Sequence, residues 1–150
     1  MKYNTKELEV VYKKILVAVD GSDISQKAIK QAAELALKFE ATITLFHVVA
    51  PLPSTIRTSI YEQQLIDGII EEGNHTLDEA KNDLISFNVQ VDTDMIVGDP
   101  STEIITKAKK GQYDLVVIGN RGLGALSGFI MGSVSRRVVR HASCPVLIVR

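Results

Sequence analysis

The chain has 150 residues, 45% of them hydrophobic and 23% charged, with a formal net charge of -1. Such a length suits one domain, residues 1–150, with a single full-sized core, and near-neutral charge gives no electrostatic case for nucleic acid or an anionic membrane as the main partner. No apolar run approaches bilayer length, Met1 to Lys14 carries no signal-peptide core, and the lone Cys144 cannot form an internal disulfide, so a reducing, cytoplasmic setting is expected.

Lys14 to Asp20 is a short, almost continuous apolar run that ends in an acid, the pattern of a buried parallel strand. Gly21-Ser22-Asp23 then supplies a turn and an N-cap. Ala28, Ala32, Leu35, Ala36 and Phe39 recur at helical spacing, which predicts a helix from about Ile24 to Phe39. Thr42 to Val49 reads as a second strand, closed by Pro51 and Pro53. A loop from Ala50 to about Ser59 has no periodicity and leads to a long helix, about Ile60 to Ser86. Ile66, Ile70, Leu77, Ala80 and Leu84 mark the buried face of that helix, and Gly68 and Gly73 are expected to weaken or bend it.

Val89, Val91, Thr93, Met95 and Val97 alternate with Gln90, Asp92 and Asp94, so the third strand has one wet face and belongs at a sheet edge. Gly98-Asp99-Pro100 opens a helix that runs through about Lys110 and is capped by Gly111. The fourth strand is Asp114 to Ile118, a helix follows from about Ser133 to His141, and Pro145 to Val149 is the last strand. Cys144, just before it, reads as a buried structural thiol. Strands that alternate with helices in this way predict an α/β fold: an open, doubly wound, five-stranded parallel sheet with helices on both faces. Placing the wet strand at one edge gives the order 3-2-1-4-5.

In such a sheet the ligand crevice lies beyond the carboxyl ends of the strands, where the order reverses. Here that is between strand one, which ends at Asp20, and strand four, which enters Gly119-Asn120-Arg121-Gly122. Gly119, Gly122, Gly124, Gly128 and Gly132 are half of the chain's ten glycines, gathered between a strand and a helix. Backbone that turns sharply or approaches a ligand closely is the usual reason, and free N–H groups ahead of a helix make an anion site. Two commoner nucleotide motifs are absent. The first turn lacks the glycines of a dinucleotide fold, and Gly132-Ser133 lacks the lysine of a Walker loop.

The spacing that is present, Gly119-x2-Gly122-x9-Gly132-Ser133, resembles the ATP-binding signature of the universal stress protein family. The resemblance extends to Ile15 through Ser22, Phe46-His47-Val48, Gly98-Asp99-Pro100, Asp114 through Gly119 and Cys144 through Val149. It implies an adenine nucleotide alpha hydrolase-like fold and an ATP pocket. Backbone of Ala18 and Val19 would meet the adenine, with Val48 and Ile118 packed on it. Asp20 would face the ribose or a phosphate-bound Mg²⁺, and Gly119, Arg121 and Gly122 would line ribose and phosphates. Gly132, Ser133, Val134 and Ser135 would cradle the phosphates with N–H groups and hydroxyls.

Plainer roles stand beside these. Asp20 could cap the turn that follows it, Arg121 could be a solvated loop charge, and Ser133 and Ser135 could be N-caps. Arg136, Arg137 and Arg140 read as a solvated face, and His47 as a packed, satisfied core residue. Asp20 is the one strand-end acid, which favours ATP binding with at most slow hydrolysis over an ATPase or phosphotransferase. A structural dimer with a vestigial pocket is the third reading. The apolar last strand, Pro145 to Val149, lies at the second edge and is expected to pair with its copy in a homodimer.

Overall fold

The computed structural model describes residues 12–54, 61–122 and 131–150. Five parallel strands, β1 (Lys14–Val19), β2 (Thr42–Val49), β3 (Val91–Val97), β4 (Leu115–Gly119) and β5 (Val146–Val149), form one sheet in the order β3-β2-β1-β4-β5. Helices α1 (Asp23–Phe39), α2 (Glu62–Asn82), α3 (Pro100–Lys110) and α4 (Ser133–His141) connect or cover them. The edge positions expected of the third and fifth strands, and the reversal of order between β1 and β4, are those found.

Because successive strand residues point to opposite faces, each central strand feeds two cores. Ile15, Val17, Ile43, Leu45, Leu115 and Val117 pack under α1 and α2, meeting Ala28, Ala32, Ala36, Leu77 and Ala80. Leu16, Phe46, Val116 and Ile118 point the other way, against Ile104 and Ala108 of α3 and Val138 of α4. Leu16, Val17, Val116 and Val117 have no accessible surface at all. Side chains of this kind, withdrawn from water, contribute about 1.5–3 kcal/mol each. The near-continuous apolar runs are thus explained by burial on both sides of a parallel sheet.

Local chemistry sets most element ends. Ser22 caps α1, its hydroxyl accepting the Ser25 N–H at 3.2 Å. Asp99 caps α3 and accepts from Thr102 N–H at 2.9 Å, with Pro100 in the first turn as expected. Gly111 ends α3 in right-handed backbone, and the left-handed residue is Gln112. The glycine is required there because a Cβ would run into the Tyr113 ring.

Several boundaries differ from those the sequence suggested. α2 stops at Asn82, and Ile85–Phe87 form a separate 3₁₀ turn. Gly68 and Gly73 sit inside an uninterrupted helix, with Gly73 packed so closely that a Cβ would lie 2.5 Å from Met95 Sδ and 3.1 Å from His47 Cδ2. β3 begins at Val91, and its alternation is broken: Thr93 and Val97 are exposed, whereas Asp94 is half-buried. Asp94 is held by an ion pair to Lys107 of α3. That pair raises the Lys107 pKa, chiefly through the Asp94 hydrogen bond. β4 extends to Gly119, and β5 begins after Pro145. Cys144 is half-buried, and burial, then the Asp114 charge, pushes its thiol pKa up, consistent with a structural role. Gly124, Gly128, Ile60 and the loop from 55 to 59 lie outside the described residues.

Three substitutions test the packing and the caps. Gly68→Ala, with no described atom within 4 Å of the new methyl, should stabilise α2 by about 0.5–1 kcal/mol in urea denaturation. Gly73→Val should instead destabilise by about 1–3 kcal/mol, because Met95 and His47 must move. The hydroxyl of Thr102, its N–H, the hydroxyl of Ser101 and the charge of Arg137 together hold the Asp99 carboxyl down at about 2. A folded-state value below that of the unfolded chain contributes stability above about pH 4, lost as pH falls towards the folded value. Asp99→Asn, still a competent cap, should therefore lose less stability than the parent between about pH 4 and the acid limit of folding.

Candidate functional site

The site begins where two neighbouring strands part. β1 and β4 are paired at Ile15–Leu115, Leu16–Val116 and Val17–Val117, and no further. Beyond that point β1 stays with β2 as far as Val19–His47, and β4 stays with β5 as far as Gly119–Val149. The strand ends Ala18 to Asp20 and Ile118 to Gly119 therefore border a gap. It opens into a cavity of about 430 Å³, within the usual range for a small-molecule site. All twelve residues singled out from the sequence line it: Ala18, Val19 and Asp20 from β1, Val48 from β2, Ile118 and Gly119 from β4, Arg121 and Gly122 from the loop, and Gly132 to Ser135 at the start of α4.

One end of the cavity is apolar. Ala18, Val48 and Ile118 are joined there by Phe46, Pro100 and Ile104, none of which the motif had marked. Phe46 was within reach of sequence reasoning, since it shares the strand face of Val48 two positions on. Pro100 and Ile104 were not, because only the crossing of α3 over the sheet brings them in. His47 lies on the opposite face and donates from Nδ1 to the Val19 carbonyl at 2.7 Å. It is a satisfied, half-buried residue, as its strand position suggested.

Asp20 stands at the end of β1. Its Oδ1 accepts the Ser22 N–H at 3.0 Å and the Ser22 hydroxyl at 2.6 Å, so it does restrain the following turn. Its own N–H donates to Ser25 Oγ at 3.3 Å, which brings buried Ser25 into the cavity lining, a further residue the sequence had not marked. Across from Asp20, a Cβ on Gly122 would collide with Oδ2. Gly122 is therefore glycine first to leave room for a carboxylate, an addition to the expected clearance for phosphate.

At the other end, α4 starts at Ser133 with Gly132 as its N-cap, and no described side chain caps it. Neither Ser133 nor Ser135 serves as the cap, a correction to the plainer expectation. Among the described residues, the first-turn N–H groups of Ser133, Val134 and Ser135 thus have no intrahelical or capping partner and border the cavity, with the positive end of the helix dipole behind them. The buried Ser135 hydroxyl lies 2.9 Å from the Asn120 carbonyl and 3.1 Å from that of Gly132. Its proton is committed to the loop, so Ser135 can offer an anion its N–H, whereas the exposed Ser133 can offer its hydroxyl too.

Asn120 ties the region together. Its N–H donates to Val149 O at 2.7 Å, and its carbonyl accepts Gly132 N–H at 2.7 Å. Its Oδ1 is buried with no hydrogen-bond partner among the described residues. Of the arginines on α4, Arg136 donates to the Met131 carbonyl at 3.1 Å and Arg137 reaches Asp99 Oδ1 at 3.3 Å and Ser101 Oγ at 3.2 Å. Arg137 is thus a strap between the two helices that border the cavity. Among the described residues, no three His, Cys, Asp or Glu side chains converge as a metal site.

Comparison with known proteins agrees with this architecture. The model of the universal stress protein family matches residues 11–150. A universal stress protein of Methanocaldococcus jannaschii is 36% identical over 95% of this chain and 84% of its own length. The Bacillus subtilis universal stress protein YxiE is 36% identical over 93% of this chain and 100% of its own. Among solved structures, UspA from Lactobacillus plantarum superposes with a TM-score of 0.83 at 26% identity, covering 93% of this chain and 99% of that one. A universal stress protein in complex with cAMP gives 0.72 at 28% identity, over 93% and 98% of the two chains. One from Archaeoglobus fulgidus in complex with dAMP gives 0.70 at 26%, over 93% and 99%. The chain, with its parted strands and glycine-bounded cavity, belongs to the universal stress protein family.

Proposed function

We propose that this universal stress protein binds ATP and acts as a nucleotide-dependent regulatory protein of the stress response, in the cytoplasm, with at most slow hydrolysis. The observation that carries the reading is the order of chemistry along one cavity. An apolar slot suits a base, a carboxylate beside it suits sugar hydroxyls, and an uncapped helix N-terminus suits phosphate. The relatives crystallised with cAMP and dAMP hold adenine nucleotides, which supports the same class of ligand here.

In this reading Ala18 and Val19 backbone, Val48 and Ile118 hold the adenine, with Phe46, Pro100 and Ile104 completing the slot. Asp20, Gly119, Arg121 and Gly122 surround the ribose and first phosphate, and Gly132, Ser133, Val134 and Ser135 receive the phosphates. Mg²⁺ would ride on the phosphates, neutralising their charge, since the described lining holds a single carboxylate. That single carboxylate also supports holding over turnover, because phosphoryl transfer needs a group to position the attacking water as well as metal ligands.

We further propose a homodimer through the last strand. Val146, Leu147 and Ile148 are half-buried on an edge whose outer side no described strand covers. An apolar edge is a hazard that pairing with a second copy removes.

Calorimetric titration of the purified protein with ATP and Mg²⁺ should give saturable binding. Gly132→Val should weaken it at least roughly tenfold while leaving far-UV circular dichroism unchanged, because the added carbons press on the Asn120 carbonyl and displace the start of α4. No binding by the parent, or normal binding by the variant, would overturn this placement. Phosphate release at enzyme rates in a single-turnover experiment, abolished by Asp20→Asn, would replace the binder with an ATPase. Sedimentation at micromolar concentration should give a dimer that Leu147→Lys shifts towards monomer. A monomeric parent would end the edge-pairing proposal.

A further inference from the structure

Ser22 does not line the cavity, yet it governs the carboxylate that does. Its N–H and its hydroxyl both reach Asp20 Oδ1, at 3.0 and 2.6 Å. The same Oγ accepts the Ser25 N–H at 3.2 Å, so its lone pair faces the helix and its proton faces Asp20. Asp20 N–H in turn donates to Ser25 Oγ at 3.3 Å, which closes a ring of three residues. Gly21, with φ at +78°, provides the left-handed turn that folds Ser22 back onto Asp20.

Two donors on one carboxylate oxygen remove the side chain's freedom to rotate. Oδ1 is held, and Oδ2 is the oxygen presented beside Gly122, where a Cβ would force the carboxylate to shift. Two separate features thus serve the same atom. An ionised carboxylate can only accept hydrogen bonds. Phosphate oxygens offer no proton and repel it, and the base belongs at the apolar end. The donors left on a nucleotide are the hydroxyls of its sugar.

Resting on the nucleotide reading above, we propose that Ser22 is a positioning residue. By pinning Asp20 Oδ1 it aims Oδ2 at the ribose hydroxyls, and so sets the preference of the site for ribonucleotides over their deoxy counterparts. The serine that starts α1 therefore has two jobs, one in the fold and one in ligand selection. Its second job was hidden because a cap needs no further explanation.

The test compares AMP, 2′-deoxy-AMP and 3′-deoxy-AMP by calorimetry, in EDTA so that no metal bridges Asp20 to phosphate. The parent should bind AMP roughly tenfold more tightly than at least one deoxy analogue, the worth of a hydrogen bond to a charged group. Ser22→Ala should lose affinity for AMP selectively, so that the ratio falls towards one, and Ser22→Thr should restore it. Ser22→Gly removes the same hydroxyl while keeping a tolerated cap, and stands in should the alanine variant not fold. A role in capping alone would weaken all three ligands equally, and an unchanged ratio overturns the proposal. A parent that binds AMP without distinguishing the sugars overturns it while the nucleotide reading stands. A parent that binds none of the three removes both.

Discussion

The structure depends on one constraint, the point at which β1 and β4 stop pairing. Parallel strands must be joined by crossovers, and here the crossover helices leave in opposite directions. α1 and α2 cover one face, and α3 and α4 the other. Pairing ends at Val17 and Val117, although both strands run on against their outer neighbours. Backbone groups that would have bonded across the gap need other partners, as Asp20 N–H finds in Ser25 Oγ. The cavity is thus a consequence of topology, and its chemistry is whatever the two strand ends and the helix starts bring to it.

What they bring is held with few degrees of freedom. Asn120 binds β4 to β5 through Val149 and to α4 through Gly132 and Ser135. Asp20 is held by Ser22, Ser25 holds the Asp20 backbone, and Arg137 straps α4 to the cap of α3. These bonds join the two sides of the gap to their own outer elements, not to each other. Polar groups held in this way are preorganised, and preorganised groups bind at lower cost than flexible ones.

The glycines around the cavity have a cause within the protein itself. Gly119, Gly122 and Gly132 were expected to be small for a ligand's sake, and all three border the cavity. Yet a Cβ on each would first strike the protein itself: Ile24 at 2.6 Å from Gly119, the Asp20 carboxylate from Gly122, and the Asn120 carbonyl at 3.2 Å from Gly132. The pattern is a signature of tight closure around the gap. The broken alternation of β3 teaches a related point. Period-two patterning marked the edge position correctly, but the exposure along the strand does not alternate strictly, and Asp94 is paired with Lys107.

Read alone, the chain determined the alternation of strands and helices, the strand order and a crevice between Asp20 and the glycine loop, whereas the twelve lining residues came through the family resemblance. These rest on local periodicity, on glycine and proline punctuation, and on a motif with fixed spacing, all of which are linear properties. Phe46 went unmarked, although it shares the strand face of Val48. Pro100 and Ile104 at the apolar end, Ser25 beneath Asp20, and the partner of Arg137 were decided only by tertiary structure, since each depends on the angle at which one element crosses another. So were the directions of the hydroxyls. Ser135 turns its proton to the Asn120 loop and Ser22 turns its own to Asp20, because a serine donates to the nearest acceptor that folding supplies, and no spacing along the chain says which that is.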